Sequence, residues 1–471
     1  MIQLTTTEAG RITPLPDSLA ARRLLSRGQV AFLGALAAAF AVIAGTRAGG
    51  LGPSPLWWAE AALAVITIGY VAAIGFMVVM VLCAGGARVL QAGDPVPDHA
   101  LPLYTVLVHV PAMSAALLDA VVGRLSAIDY PRLQVLLLAP GGTTPPRPPE
   151  ASPVVLAPGG TTPPRPPEAS PVVLPSWVEV VPVPPDGPGT TASARDAGLD
   201  RAAGEFCVVY DAEDLPAASQ LREAVAAFRA LPAWVVCIQA QLRYPNPGMN
   251  WLTRCFAAEY AVSFGLFLRG LDRLGLVIPL SGTSHHFRTE ALQRVGGWDA
   301  HNASEGTDLG VRIARRGWGV RIMASATDKE ASGRLGDWLR QRTRWMRGYY
   351  QTWLVHMRSP GRLWRDLGTR RFIGLQLTFA VYLAALVSPL FWALTVACLA
   401  SGRGSLFLYA GAAAMLVGNL LMVYSLMIGC MEHGLFRAVR TMLLVPAYWA
   451  LMSVAACRAL LKFQLREARG S

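Results

Sequence analysis

Five apolar runs divide this 471-residue chain and leave one long polar block between the second and the third. Residues 28–46 (GQVAFLGALAAAFAVIAGT) and 61–83 (AALAVITIGYVAAIGFMVVMVLC) come first; 373–399, 405–430 and 441–457 come last. A hydrocarbon core about 30 Å thick is crossed by about 20 apolar residues in a helix, so the first four runs are expected to span a membrane. Hydrophobic residues make up 53% of the chain and charged residues 15%. That is too apolar for a soluble enzyme and too polar for a bare helical bundle. A membrane protein with one sizeable water-facing domain is expected.

Arg11, Arg22, Arg23 and Arg27 precede the first run, which places the N-terminus in the cytoplasm by the positive-inside tendency. The first run starts late and leads into a second, so it does not read as a cleaved signal peptide. Two crossings return the chain after Arg88 to the cytoplasm. The expectation is an integral plasma (inner) membrane protein with its polar block cytoplasmic. Residues 441–457 leave two readings open. If they cross, the C-terminus lies outside, yet Arg458, Lys462, Arg466 and Arg469 favour inside. Residues 432–441 (EHGLFRAVRT) mix apolar and basic positions and suit the membrane surface. The chain thus divides into a cytoplasmic segment 1–27, two spans in 28–88, a water-facing domain 89–332, an interface segment 333–372, a region of two to three spans in 373–463, and a tail 464–471.

The net charge of +12 is spread along the chain without a zinc-finger or RNA-binding signature, so no nucleic-acid partner is expected. Anionic membrane lipids or a nucleotide diphosphate account for it more simply. The seven cysteines are scattered and form no Cys-x-x-Cys, which favours buried thiols over disulfides or zinc. The seven histidines include no His-Glu-x-x-His, which argues against a zinc hydrolase. Few ionisable residues lie inside the apolar runs, which argues against a transporter.

Within the polar block, Leu103–Val110, Leu133–Leu138, Val178–Val183, Phe206–Tyr210 and Trp234–Ile238 read as buried strands. Residues 216–230 read as an amphipathic helix. This alternation implies an α/β domain with a largely parallel sheet. Such sheets bind ligands beyond the carboxyl ends of their strands, and Asp211-Ala212-Glu213-Asp214 falls there, directly after FCVVY. Residues 138–173 hold LAPGGTTPPRPPEASPVV twice in tandem; its prolines forbid helix, and an extended surface insertion is expected. A helix is expected over 333–356. On it Gln341, Arg344 and Trp345, at i, i+3 and i+4, share one face.

These motifs together resemble the processive family 2 glycosyltransferases, the group that holds cellulose and hyaluronan synthases. The likeness rests on Gln-x-x-Arg-Trp at 341–345, on Asp211-x-Glu213 after a strand, and on Gly-Gly-Trp-Asp at 296–299 leading into an acidic motif. It implies a GT-A-like (nucleotide-diphospho-sugar transferase) α/β domain in 89–332 with flanking transmembrane helices. It implies inverting transfer of a hexosyl unit from a nucleotide sugar to a glycan or lipid-linked acceptor. Asp211 and Glu213 would hold Mg²⁺ or Mn²⁺ through hard oxygen ligands. Gln341, Arg344 and Trp345 would position acceptor and diphosphate, Trp345 as a flat surface for a sugar and Arg344 through charge-assisted hydrogen bonds.

The chain departs from the family pattern in its acidic motif. Where relatives carry Thr-Glu-Asp, it reads Ser304-Glu305-Gly306, so the usual general base is Gly306. Glu305 or Asp308 would then serve as a displaced base. Relatives also carry a lysine-containing donor segment before the Asp-x-Asp strand; here residues 188–199 read PGTTASARDAGL, with Arg195 as the only base. The first strand ends VHVPAMSAA, without the usual Tyr/Asn-Glu turn. A second reading follows: a catalytically inactive pseudo-glycosyltransferase that binds glycan or pairs with an active paralogue or another membrane subunit.

Overall fold

The computed structural model describes residues 12–23, 25–32, 34–35, 38, 55–85, 90, 93–111, 114–140, 174–175, 177–183, 191–246, 248–400, 402 and 406–467. Most of the first expected span, and the tandem repeat beyond residue 140, lie outside them.

At the centre of the polar block is an eight-stranded sheet. Its strands are β1 Tyr104–His109, β2 Leu133–Pro140, β3 Val178–Val183, β4 Phe206–Asp211, β5 Leu215–Pro216, β6 Val235–Arg243, β7 His285–Arg288 and β8 Gly319–Asp328. Their order is β3-β2-β1-β4-β7-β6-β8-β5. The half from β3 to β4 is parallel, as the sequence predicts. The other half is mixed: β7 runs antiparallel to both β4 and β6, and β5 runs antiparallel to β8. β7 is only HHFR, four residues with no apolar periodicity to announce it.

The parallel strands β1, β2 and β4 are mostly apolar because both faces are covered. Phe206, Val208 and Tyr210 of β4 pack toward helices α2 (Ala115–Ser126) and α4 (Gln220–Ala230). Cys207 and Val209 point the other way, toward α3 (Thr191–Leu199), α7 (Thr289–Val295) and α8 (Glu305–Arg315). The helix expected at 216–230 begins at Gln220, because Leu215 and Pro216 pair with β8 instead.

The remaining helices are α1 (Pro55–Gly85), α5 (Trp251–Val262), α6 (Leu268–Arg273), α9 (Leu335–His356), α10 (Pro360–Ala400), α11 (Leu406–Glu432), α12 (Phe436–Val439) and α13 (Val445–Glu467). Among the described residues four helical stretches are long and apolar enough to cross a membrane: Glu60–Gly85, Pro360–Ala400, Leu408–Glu432 and Phe436–Lys462. Gly368, at φ 73°, interrupts α10 and separates a short basic piece from the apolar run.

The apolar helices and the sheet domain share one core. Met80 of α1, Phe256 and Tyr260 of α5, Trp338 of α9 and Tyr448 of α13 belong to the same buried cluster. Arg342 fastens it. Its guanidinium donates to Glu259 Oε1 at 2.8 Å and to the Tyr448 hydroxyl at 2.8 Å. It also lies 4.6 Å from the Phe256 ring centre and 4.8 Å from that of Trp345. A planar cation satisfied by a carboxylate and flanked by aromatic faces is at ease in such a core. It fixes the orientation of α9, and with it the motif that α9 carries.

Candidate active site

A cavity of about 1230 Å³ opens beyond the carboxyl ends of β1 and β4, bounded by the start of α8 and one face of α9. Asp211, Glu305, Gly306, Gln341, Arg344 and Trp345 all line it. Residues up to 134 positions apart in sequence, from 211 to 345, therefore meet at one site. Glu213 does not line it; its side chain is 64% exposed and reaches the cavity-lining Lys329. Asp308 does not line it.

The strand-end side of the cavity is organised by two cations. The Lys329 ammonium, on the residue after β8, lies 2.6 Å from Asp211 Oδ2, 3.0 Å from Glu213 Oε1 and 3.4 Å from Asp214 Oδ1. The Arg195 guanidinium, from α3, lies 2.7 Å from Glu305 Oε1 and 3.4 Å from the other oxygen of Asp211. Burial pushes the Asp211 carboxyl up, but Lys329 and then Arg195 outweigh it and hold its pKa at about 2. Burial dominates at Asp214, raising it to about 6 against the pull of Lys329. Burial alone would lower the Lys329 pKa; the three carboxylates override it and keep the ammonium charged.

This arrangement bears on the expected metal pair. Mg²⁺ needs open oxygens at about 2.1 Å in octahedral array. Both oxygens of Asp211 and one of Glu213 are engaged by Lys329 or Arg195. Among the described residues no group of three His, Cys, Asp or Glu side chains is placed to hold an ion. As they stand, Asp211 and Glu213 do not fit a divalent cation unless Lys329 withdraws.

At the base position, Gly306 packs tightly. A Cβ built there would meet the Leu280 carbonyl oxygen at 2.9 Å and His285 Cε1 at 3.6 Å. The helix start thus sits closer to that carbonyl than a side chain would comfortably allow. Of the two substitutes, Glu305 faces the cavity and Asp308 does not. Asp308 is fully buried; Arg312 Nε donates to its Oδ2 at 2.6 Å, and its Oδ1 lies 3.0 Å from His356 Nε2. Arg312 also donates to the carbonyls of Val295 and Gly297, each at 2.9 Å. Asp308 is an interior brace between α8, the Gly-Gly-Trp-Asp turn and the end of α9, away from the cavity where a base is expected. That turn is held in turn by Asp196, whose Oδ1 accepts from the Trp298 amide at 2.9 Å.

The sequence reading missed three contributors. Lys329 was one, though a signal existed: the chain has only two lysines, Lys329 and Lys462, among its 42 Lys and Arg. His109, at the end of β1 beside Asp211, also lines the cavity. Burial, then Arg195, lower its pKa, so it is neutral at pH 7. The third is the N-terminal segment. The Ala21 amide donates to Asp299 Oδ2 at 2.6 Å, and Arg358 Nη1 donates to the Ser18 and Ala20 carbonyls, each at 3.1 Å. These bonds bring Arg22 and Arg23 to the cavity wall.

A sheet that gathers acidic side chains at its strand ends, facing a motif helix rooted among apolar helices, defines a GT-A glycosyltransferase architecture. Residues 206–451, just over half of the chain, match the family described as Glycosyl transferase family group 2, and the chain belongs to it. "Probable glycosyltransferase YdaM" of Bacillus subtilis is 26% identical over 163 residues, 33% of this chain and 37% of that protein. "Beta-monoglucosyldiacylglycerol synthase" of Synechocystis is 29% identical over 157 residues, 33% of this chain and 32% of that protein. The match therefore spans about a third of the length of these relatives. A solved mannosyltransferase from Pyrobaculum calidifontis, in complex with GDP-Man and Mn²⁺, superposes with a TM-score of 0.52 at 19% identity, over 85% of this chain and 98% of that one. It shares the fold.

Proposed function

We propose that this protein is a membrane-bound glycosyltransferase that moves a hexosyl unit, with inversion, from a nucleotide sugar to a glycan or lipid-linked acceptor. The carrying observation is the single cavity. It joins the strand-end carboxylates of the sheet to Gln341, Arg344 and Trp345 on a helix packed against apolar, membrane-length helices. The nucleotide sugar sits at the Asp211 end, beyond the strands. The acceptor enters along α9, with Trp345 as its platform. The lipid product in the name of the Synechocystis relative supports a lipid-linked acceptor. The sheet domain lies on the cytoplasmic side, in keeping with the arginines before the first apolar run.

In-line attack by an acceptor hydroxyl needs a proton acceptor on the face opposite the leaving diphosphate. Glu305 lines the cavity and is the candidate for that role. Arg344, exposed on the cavity lining, offers charge to the diphosphate as it leaves. The Mg²⁺ or Mn²⁺ implied by the family has no open ligand set at Asp211 and Glu213.

One observation favours a second reading. Arg195 clamps Glu305 at 2.7 Å, next to a glycine in the usual base position. A carboxylate oxygen held by a guanidinium is not open to an acceptor hydroxyl, which suits a pseudo-glycosyltransferase acting as a glycan-binding or partner subunit. Transfer from labelled UDP- and GDP-hexoses, assayed in membranes that contain the protein, separates the two. The enzyme reading expects a labelled glycolipid or glycan that disappears in Glu305→Gln. Undiminished product in that variant, or none from the wild type with any donor, counts against it.

A further inference from the structure

We infer that Lys329 is the resident cation of the donor site, and that a nucleoside diphosphate binds against it without a divalent metal ion. The inference rests on the nucleotide-sugar reading above. Its geometry does not, because the carboxylate cluster exists whatever the ligand.

An ammonium has three N–H donors. Lys329 donates one to Asp211 Oδ2 at 2.6 Å and lies at ion-pair distance, 3.0 and 3.4 Å, from Glu213 Oε1 and Asp214 Oδ1. That is the space in which an Asp-x-Glu pair would otherwise hold an ion. The three contacts are unequal in a useful way. Asp214 is completely buried and Asp211 is 30% exposed, whereas Glu213 is 64% exposed. The inner two anchor the ammonium. The outer one exchanges readily with solvent, and a phosphate oxygen can take its place. Lys329 is itself only 13% exposed, yet it lines the cavity, so the ammonium is held but reachable.

Entry of a divalent ion between Asp211 and Glu213 would eject this ammonium. It would then sit in a mostly buried site beside a second positive charge, without its carboxylates, at several times the cost of an ordinary lost hydrogen bond. Arg195 strengthens the case, because it engages the remaining Asp211 oxygen and adds a second fixed cation. The choice of residue type fits as well. The chain uses arginine for nearly every other positive charge and keeps a lysine here. A compact point charge fits among three converging carboxylates, where a planar guanidinium fork would not.

The test uses full-length protein purified in detergent. UDP and GDP binding is measured by calorimetry in EDTA and again with Mn²⁺, and Mn²⁺ uptake without nucleotide is followed by electron paramagnetic resonance. Wild type is compared with Lys329→Met, and with Lys329→Gln should the first variant fail to purify as a monodisperse species. Wild type is expected to bind at least one nucleotide in EDTA, with little gain from Mn²⁺. The variant should lose about 10- to 100-fold in affinity in EDTA, the weight of one charge-assisted hydrogen bond. It should also take up Mn²⁺ that the wild type leaves free. Nucleotide binding by wild type that requires Mn²⁺ overturns the inference. If neither nucleotide binds in any condition, the donor reading falls, and Mn²⁺ uptake alone decides. Uptake by the variant only upholds Lys329 as the resident cation; equal behaviour of the two proteins, including none by either, overturns it.

Discussion

Glu305 and Asp308 stand three residues apart in the first turn of α8, yet they serve different regions. Glu305 reaches into the cavity and meets Arg195; Asp308 is sealed between Arg312 and His356. A second pair divides in the same way. Arg195 turns toward the cavity carboxylates, while its neighbour Asp196 turns inward to hold the Trp298 amide. Both regions are networks of buried charge built from the same residue types. The interior one is closed, since both oxygens of Asp308 are satisfied by protein. The cavity one is left with an exposed member, Glu213, and a wall of further cations. An acidic motif therefore does not identify a base; the partners that each carboxylate finds after folding do.

The largest effect should come from the open network. Glu305→Gln should lower turnover by about 10²- to 10⁴-fold, the usual weight of general base catalysis, and cost less stability than loss of Asp308, because Glu305 is partly exposed and Arg195 keeps Asp211 as a partner. A large drop in melting temperature with proportionate loss of activity would erase the contrast with Asp308. Asp308→Asn should do the reverse. Breaking a buried ion pair costs about 3–5 kcal/mol, so the variant should melt far earlier while its folded fraction still binds nucleotide. Wild-type stability in that variant would mean that the interior network braces nothing.

A pH series sharpens the second pair. Burial raises the Asp196 carboxyl from 3.8 to about 7. The folded protein thus holds a proton that the unfolded chain releases above about pH 4, and stability from this group falls as the pH climbs from about 4 to about 7. Asp196→Asn should remove that slope, so its melting temperature should gain on wild type across the window. A constant difference between the two would contradict the assignment. The smallest effect belongs to neither network. Arg201 and Glu179 form an exposed pair, 52% and 47% accessible, and Arg201→Ala should shift stability by less than about 1 kcal/mol. A larger shift would mean that surface pairs matter as much here as the interior brace.

Local patterns carried much of this architecture. The strands at 104–109, 133–140 and 178–183 are contiguous runs rich in apolar residues, and period and apolar length are properties of contiguous sequence. The same holds for α9, whose i, i+3, i+4 spacing puts Gln341, Arg344 and Trp345 on one cavity wall. The short strands β5 and β7 lacked any such pattern, and pairing with neighbours alone defines them. Arg342, inside the Gln-x-x-Arg-Trp stretch, gave no sign that it would face inward to Glu259 and Tyr448 rather than join the basic surface around it.

What this sequence determined by itself was a family 2 glycosyltransferase built as an α/β domain between apolar helices, with a motif helix at their junction. Those features follow from composition, periodicity and short motifs, which survive without knowledge of long-range contacts. The tertiary structure alone decided how the charges are shared. Lys329 meets Asp211 across 118 residues, and Arg195 meets Glu305 across 110. A salt bridge depends on distance in space, and no periodicity along the chain encodes which cation will fill a given cluster of carboxylates.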